Sequence, residues 1–148
     1  MPRRTDTVSP ALRSAIMRAV RSRGNKATEL VLASLLRRHR IRGWRRGFRL
    51  VGQPDFVFPK QRVALFVDGC FWHGCPRHCR MPKGNRSYWR PKIAANQARD
   101  RRVNRTLRAA GWRVVRLWEH ELRQPNRSLT RIRRALAGRE AECVGVVR

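Results

Sequence analysis

The sequence predicts a small α/β sandwich in which helices flank a central mixed β-sheet. Two short runs, "PDFVF" (54–58) and "RVALFVDG" (62–69), are separated by "PKQ", which is typical of two strands joined by a tight turn. A third run, "WRVVRLWE" (112–119), follows a long helical stretch. With the predicted helices the order of elements is ααββαβα, which indicates a mixed sheet covered by helices.

Two helices are predicted before the first strand. In "SPALRSAIMRAV", Ser9 suits the N-cap and Pro10 the first helical position, and Gly24 ends this helix. A second helix is expected over about 28–39, where leucines at helical spacing form a buried stripe. The basic stretch 37–50 is interpreted as a loop that leads to a strand edge.

Two more helices are predicted after the first two strands. The longest is expected over about 88–110, with Gly111 as its C-cap and one apolar face formed by Trp89, Ile93, Val103 and Leu107. A short helix over about 129–137 precedes a tail, 139–148, that is expected to be mobile. No repeat or linker divides the sequence, so 1–148 is predicted to form one domain with a core over about 10–138.

The strongest global signal is charge. The chain has 36 Lys and Arg against 9 Asp and Glu, which gives a net charge of +27. A compact fold with this charge repels itself unless a polyanion neutralises it, and nucleic acid is the polyanion that best fits. A basic ribosomal protein or a membrane-surface protein is the alternative.

The apolar patterning does not suggest a membrane protein. The longest apolar stretch near the middle, "VALFV", is far too short to span a bilayer. The N-terminal "MPRRTDTVSP" has basic residues but no apolar stretch behind them, so no secretory signal is expected. The expected compartment is the cytoplasm.

The densest chemistry lies in "DGCFWHGCPRHC" (68–79). Cys70, Cys75 and His78 form a C-x4-C-x2-H pattern, and tetrahedral zinc takes N and S ligands from such short loops. His120, just after the third predicted strand, is the best remaining imidazole for the fourth ligand. Adjacent residues rarely both point at one ion, so His78 competes with Cys79. The alternative is that these cysteines are small buried hydrophobes, but their density together with histidine favours a structural zinc site.

A second constellation consists of acids and one histidine. Asp55 begins the first predicted strand and Asp68 ends the second, and a tight antiparallel turn brings these ends together, where carboxylates can bind Mg²⁺. The alternative is that both acids cap turns. His73, close to Asp68, is a candidate to accept a proton from an attacking water. Glu29 and Asp100 lie on predicted helices that can face the same cleft, although helical acids are more often solvated.

Together these residues resemble the very short patch repair (Vsr) endonucleases of the PD-(D/E)XK nuclease superfamily. The matching segments are "MRAVRSRGNKATELVLASLL", "GQPDFVF", "VALFVDGCFWHGCPRHCRMPKGNRSYW" and "NQARDRRVNRTLRAAGWRVVRLWEHEL", in family order from about residue 10 to 125. The resemblance implies a restriction-endonuclease-like fold and a magnesium-dependent enzyme that nicks duplex DNA on the 5′ side of the thymine in a T:G mismatch. Such mismatches arise when 5-methylcytosine deaminates, so it also implies functional association with a DNA cytosine methyltransferase.

The resemblance implies a role for each candidate residue. Asp55 matches the central metal-binding aspartate, and the carbonyl of Val67 matches a second, backbone contact to the metal. His73 matches the histidine proposed as general base, whereas Glu29 and Asp100 match acids that hold metal-bound waters. The structural zinc ligands that it implies are Cys70, Cys75, His78 and His120.

The resemblance also gives the aromatic residues of the cysteine-rich segment a role in DNA binding. Phe71 and Trp72 match residues that wedge between base pairs beside the mismatch, with Met17 entering from the other side. Unstacking a base step costs roughly a few kcal/mol and is easiest where pairing is already poor, so such a wedge discriminates by itself. The alternative is that both rings belong to the core.

Two positions depart from the expected pattern. Asp68 stands where some family members have His, and its carboxylate is similar to the second acid of the superfamily. The superfamily lysine expected two residues later is here Cys70, so its charge role must pass to His73 or to a second metal ion. The expected mechanism places one or two Mg²⁺ ions between Asp55, the Val67 carbonyl and the scissile phosphate, with Asp68 as a further candidate ligand.

Two other functions are left open. One is a nuclease of the same fold with a different DNA target, such as a restriction or defence enzyme. The other is a zinc-stabilised DNA-binding protein without catalysis. The protein is expected to act as a monomer, since a single-strand nick requires only one copy, and to associate with the bacterial nucleoid.

Overall fold

The structure is a computed structural model that describes residues 26–138, together with Ser9 and residues 11–12 and 14–15. At Ser9 the predicted helix N-cap is confirmed, because the backbone N–H of Leu12 donates a hydrogen bond to Ser9 Oγ at 3.2 Å. Met17 and the predicted mobile tail, 139–148, lie outside the described residues.

The described part of the chain contains three α-helices, three strands and one 3₁₀ helix. In order, the elements are α1 (Lys26–Arg38), β1 (Phe56–Phe58), β2 (Val63–Asp68), α2 (Arg86–Ala109), β3 (Arg113–Trp118), a 3₁₀ helix (Glu119–Arg123) and α3 (Pro125–Ala137). The prediction that α3 starts at about residue 129 was wrong. Pro125 opens this helix, where a residue without an N–H loses no hydrogen bond. The sequence also gave no sign of the 3₁₀ helix, which ends the third strand one residue earlier than predicted.

The predicted mixed sheet is confirmed. It has the order β1-β2-β3, with β1 antiparallel to β2 and β3 parallel to it. The register pairs Phe56 with Leu65 across the turn, and Asp68 with Trp118 at the carboxyl ends of the parallel strands. A parallel pair needs a long crossover, and α2 provides it between β2 and β3.

Both faces of β2 are buried because its side chains alternate between two apolar clusters. Val63 and Leu65 point into the larger cluster, whose other members come mainly from α1, β1, β3 and α3. Ala64 and Phe66 point to the opposite face, where Leu107 of α2 packs. The helices therefore cover the sheet from both sides, which is the predicted sandwich.

The sheet brings three chain segments to one end. The carboxyl ends of β2 and β3 lie side by side there, and the residue before the antiparallel β1, Asp55, reaches the same end. The basic stretch 37–50 runs along the outer edge, where Arg45 and Val57 exchange backbone hydrogen bonds of 2.8 and 2.9 Å. Among the described residues, no helix is both long enough and apolar enough to cross a membrane.

Candidate active site and metal centre

Residues 69–79, which we call the cysteine loop, leave the end of β2 and fold back on themselves. The N–H of Cys75 donates to the carbonyl of Cys70 at 2.8 Å. Gly74 has a φ of +66°, and a Cβ there would lie 2.4 Å from Nε2 of Gln97 on α2, so this turn needs glycine for both conformation and space. Asn96 and Gln97 then donate to the carbonyls of Trp72 and His73, at 2.9 and 3.2 Å. These bonds fix the loop against α2.

The structure brings together the four residues predicted to bind zinc. One ligand atom from each of Cys70, Cys75, His78 and His120 lies within 4.8 Å of the other three. His120 Nδ1 is 3.1 Å from the sulfur of Cys70 and 3.7 Å from that of Cys75, and His78 Nδ1 is 3.9 Å from the sulfur of Cys75. For metal–ligand bonds of about 2.0–2.3 Å, neighbouring corners of a tetrahedron are roughly 3.3–3.8 Å apart. The donor types and their spacing fit a tetrahedral zinc ion.

Cys79, the rival of His78, points elsewhere. Its thiol donates to the carbonyl oxygen of Phe71 at 3.6 Å, and it is not part of the four-residue group. At His78, loss of hydration and the neighbouring charge of His120 lower the pKa, which favours the neutral imidazole that binds metals. Burial raises the pKa of the Cys70 thiol, and a bound cation would reverse this, because a coordinating thiol is deprotonated.

Asp55 lies where β1 begins and accepts a hydrogen bond of 2.7 Å from the N–H of Val67. The pKa of its carboxyl is raised from 3.8 to about 6. Burial is the main cause and the charges of Glu29 and Asp68 add to it, whereas the hydrogen bond from Val67 acts in the opposite direction. The neighbouring acid, Glu29 of α1, accepts a hydrogen bond from Arg46. A divalent cation would stabilise the ionised form of a carboxyl that is buried beside other acids. The oxygen donors at this position therefore fit Mg²⁺.

A second acidic group surrounds His73. Asp68, His73 and Asp100 offer ligand atoms that lie within 4.8 Å of one another. His73 Nδ1 and Asp100 Oδ2 are 2.5 Å apart and form a hydrogen bond, which is stronger than a bond between neutral groups when the carboxylate is ionised. Burial acts to raise the pKa of Asp100, but the hydrogen bond and charge of His73 and the charge of Arg116 outweigh it, and the pKa is lowered. Asp100 therefore stays ionised and orients the imidazole.

Arg116, a residue that the sequence reading missed, joins these two acids. It lies in the middle of β3, and its Nη1 is 2.7 Å from Asp68 Oδ1 and 3.3 Å from Asp100 Oδ1. The sequence held one signal for it, because "VVRLW" places an arginine between the buried Val115 and Leu117. A charged side chain inside an apolar strand needs a partner, but the sequence alone does not say which.

The aromatic residues predicted to contact DNA form a half-buried cluster beside the cysteine loop. The rings of Phe71 and Trp72 meet edge to face with centroids 5.2 Å apart. Trp89 of α2 packs on both, at 5.3 and 5.8 Å, and Tyr88 packs on Trp89 at 5.0 Å. The sequence reading assigned Trp89 to the apolar face of its helix and did not connect it with the loop. The cluster therefore joins the cysteine loop to α2 through edge-to-face ring contacts.

The sequence also matches a known protein family. Residues 5–81 match the family profile described as DNA mismatch endonuclease Vsr. The chain is 48% identical over 126 residues to the type II nicking enzyme V.XorIIP of Xanthomonas oryzae pv. oryzae, covering 80% of this chain and 87% of that protein. It is 40% identical over 121 residues to the DNA mismatch endonuclease Vsr of Escherichia coli K12, covering 80% and 76%.

A shorter match is more similar still. Over 69 residues the chain is 58% identical to the type II nicking enzyme V.NaeI of Lentzea aerocolonigenes, and these residues span 47% of this chain and 42% of that protein. Because the family profile covers more than half of the chain and two relatives match across most of their lengths, the resemblance predicted from the sequence is confirmed. The chain belongs to the Vsr family of DNA mismatch endonucleases and is a Vsr-type nuclease.

Proposed function

We propose that this protein is a magnesium-dependent DNA endonuclease that nicks the thymine strand of a T:G mismatch, on the 5′ side of the thymine. The observation that carries the proposal is the 2.5 Å contact between His73 and Asp100 beside the acidic end of β2. It gives a hydrolase an oriented imidazole next to carboxylates that suit a divalent cation. Family membership supplies the choice of DNA as the substrate.

Asp55 and the carbonyl of Val67 are the proposed magnesium ligands. Within an extended strand the N–H and C=O of one residue point to the same side, so the carbonyl of Val67 faces the edge where its N–H meets Asp55. Glu29, next to Asp55, is placed to hold waters around the ion. When bound, Mg²⁺ would neutralise negative charge on the scissile phosphate. Asp68 is close enough to raise the pKa of Asp55 and is the further candidate ligand.

His73 is the proposed general base. Because its Nδ1 bonds to Asp100, the ring can carry a proton on Nδ1 and keep Nε2 as an acceptor. Nε2 takes a proton from water as the water oxygen attacks phosphorus. The bond between phosphorus and the 3′ oxygen breaks, and the 3′ oxygen takes up a proton from solvent water, which leaves a 5′-phosphate and a 3′-hydroxyl.

The aromatic cluster supplies the proposed preference for mismatches. Phe71 and Trp72 are half-buried and directly precede His73 in the chain, and Trp89 packs on both rings. Rings inserted between base pairs repay the cost of unstacking more easily where the pair is already weak. Met17, proposed to enter from the other side, lies outside the described residues.

The zinc centre has a proposed structural role. Cys70, Cys75 and His78 come from the cysteine loop, whereas His120 comes from the 3₁₀ helix after β3. A zinc ion held by both segments would tie the loop that carries His73 and the aromatic rings to the sheet. The zinc ion would thus position His73 and the aromatic rings and would take no part in the reaction itself.

The remaining proposals concern partners and place. The net charge of +27 supports phosphate contacts along duplex DNA and predicts binding that weakens steeply with salt. We propose that the enzyme acts as a monomer in the bacterial cytoplasm, on the nucleoid, and serves DNA modified by a cytosine methyltransferase. No protein contact is needed for the chemistry proposed here.

The test uses end-labelled duplexes that are identical except for one T:G mismatch, placed in a pool of sequence contexts. We expect nicking of the thymine strand alone, with Mg²⁺ and not with EDTA. Asp55→Asn should abolish it and keep DNA binding, whereas Glu140→Gln, which removes an equal charge at a position with no proposed role, should nick normally. Equal nicking of paired DNA would replace mismatch repair with another DNA target, and binding without cleavage would leave a DNA-binding protein.

A further inference from the structure

Arg116 has no part in the proposed chemistry, yet it enters the acidic group from the neighbouring strand. Its Nη1 lies 2.7 Å from Asp68 Oδ1 and 3.3 Å from Asp100 Oδ1, so one guanidinium bridges two carboxylates. Both acids flank His73, whose Nδ1 bonds to Asp100. Arg116 is therefore linked to the proposed base through Asp100, and it directly contacts Asp68, a candidate magnesium ligand.

The position of Arg116 is fixed on several sides. Its Nε donates to Asn104 Oδ1 of α2 at 2.9 Å, and the guanidinium carbon lies 4.3 Å from the ring centroid of Phe66. Only 17% of the side chain is exposed. A planar guanidinium can stack on a ring and donate at several corners at once, which the single ammonium of a lysine cannot do.

The contacts of Asp68 show how its charge is balanced. Its side chain is only 9% exposed, and a carboxylate so little hydrated needs a partner. Arg116 contacts it at hydrogen-bond distance, whereas His73 Nδ1 is 3.8 Å away, beyond that range. The bond engages Oδ1 and balances much of the negative charge of Asp68, so a second cation would be attracted less strongly to its other oxygen.

We propose that Arg116 is a positioning residue that keeps Asp68 out of the magnesium site and holds Asp100 against His73. The guanidinium of Arg116 places a positive charge beside Asp68 from the neighbouring strand β3. The inference rests on the proposed function and narrows it: Mg²⁺ is held by Asp55 and the carbonyl of Val67, and Asp68 is a charged spacer rather than a ligand.

The experiment is a double-mutant cycle on Asp68 and Arg116 with two readouts. Binding is measured with Mn²⁺, which takes the oxygen ligands of Mg²⁺ and whose free ion is counted by electron paramagnetic resonance. Nicking is measured under single-turnover conditions across a Mg²⁺ titration. The variants are Asp68→Asn, Arg116→Met, Arg116→Lys and the double variant. The exposed Arg105→Met is the control for losing one positive charge.

We expect Asp68→Asn to leave the Mn²⁺ affinity within about twofold, because Arg116 already balances the charge of this carboxylate. Arg116→Met should tighten Mn²⁺ binding about tenfold, since it adds a free carboxylate to the site, and slow nicking by about 10- to 100-fold. The double variant should return the affinity to that of the wild type. Arg116→Lys, which cannot bridge both acids, should lie between the wild type and Arg116→Met.

Two results would overturn the proposal. One is a loss of Mn²⁺ affinity of about tenfold or more in Asp68→Asn, which would make Asp68 a ligand despite its ion pair. The other is an affinity in Arg116→Met equal to that of Arg105→Met. If Arg116→Met does not fold, the single variants Asp68→Asn and Arg116→Lys still decide. A wild-type protein that binds Mn²⁺ but does not nick would refute the proposed function and leave the binding cycle interpretable.

Discussion

Replacing Asp55 by asparagine should make the protein more stable while it destroys activity. The carboxyl is buried next to Glu29 and Asp68, and its pKa is raised from 3.8 to about 6. Folding therefore works against the ionised form of this group. Asparagine keeps an oxygen that can accept the hydrogen bond from Val67 and carries no charge to bury.

The size of the effect follows from the two pKa values. The difference between 3.8 and about 6 corresponds to about 3 kcal/mol in the free energy of unfolding. The hydrogen bond from Val67 is weaker to an amide than to a carboxylate, which costs about 1 kcal/mol. A net stabilisation of about 2 kcal/mol is expected at neutral pH without divalent cations.

The pH dependence has a definite sign. Below 3.8 Asp55 is protonated in both states and the wild type carries no penalty. As the pH rises to about 6, the unfolded chain releases the proton and the folded protein keeps it, so unfolding becomes easier. The advantage of Asp55→Asn should therefore grow over this window and stay constant above it.

Urea unfolding of both proteins at several pH values, in EDTA, measures the difference directly. Asp100→Asn is the control with the opposite sign. Because the pKa of Asp100 is lowered in the folded protein, removing this carboxylate should destabilise the protein at pH values above the ordinary carboxyl pKa. Added Mg²⁺ should stabilise the wild type and leave Asp55→Asn unchanged. A wild type more stable than Asp55→Asn at neutral pH in EDTA would refute the reasoning.

Three further predictions follow from the site. Cys75→Ser should lose bound zinc and fold poorly, whereas Cys79→Ser should keep one zinc per chain by metal analysis, because its sulfur points away from the other donors; equal zinc loss in both would contradict the ligand set. His73→Ala should slow nicking by about 10²- to 10⁴-fold, and Asp100→Asn by less, as measured by single-turnover rates; similar rates for His73→Ala and wild type would exclude it as the base. Trp72→Ala should reduce the preference for mismatched over paired DNA by about tenfold in competition binding with little change in affinity for paired DNA, and an unchanged preference would return this ring to the core.

The sheet was predictable from the sequence because its strands have local signals. "PDFVF" and "RVALFVDG" carry β-type composition on either side of a tight turn, and that turn fixes their antiparallel pairing. The start of α3 was not predictable to the same extent. Pro125 fits a loop as well as a first helical turn, and packing of Leu129 and Ile132 against the sheet decides between them.

The candidate site was predictable where its residues share one short segment. Cys70, Cys75 and His78 lie within nine positions, so their spacing alone indicates a shared ion. The more distant His120 was predicted from its place just after the third strand, and the family resemblance implied the same residue. Arg116 could not be found in this way, because its bond to Asp68 depends on the parallel register of β2 and β3, 48 residues apart in sequence. The contact of Trp89 with the cysteine loop likewise depends on how α2 packs.

The most direct test of the central claim is the ratio of single-turnover nicking rates on two duplexes that differ only in carrying a T:G or a C:G pair, measured in Mg²⁺. We predict cleavage of the thymine strand of the mismatched duplex, at the 5′ side of the thymine, with a 5′-phosphate on the product and no detectable cleavage of the paired duplex. Equal rates on both duplexes would contradict the account, because the aromatic cluster would then have no part in choosing the substrate.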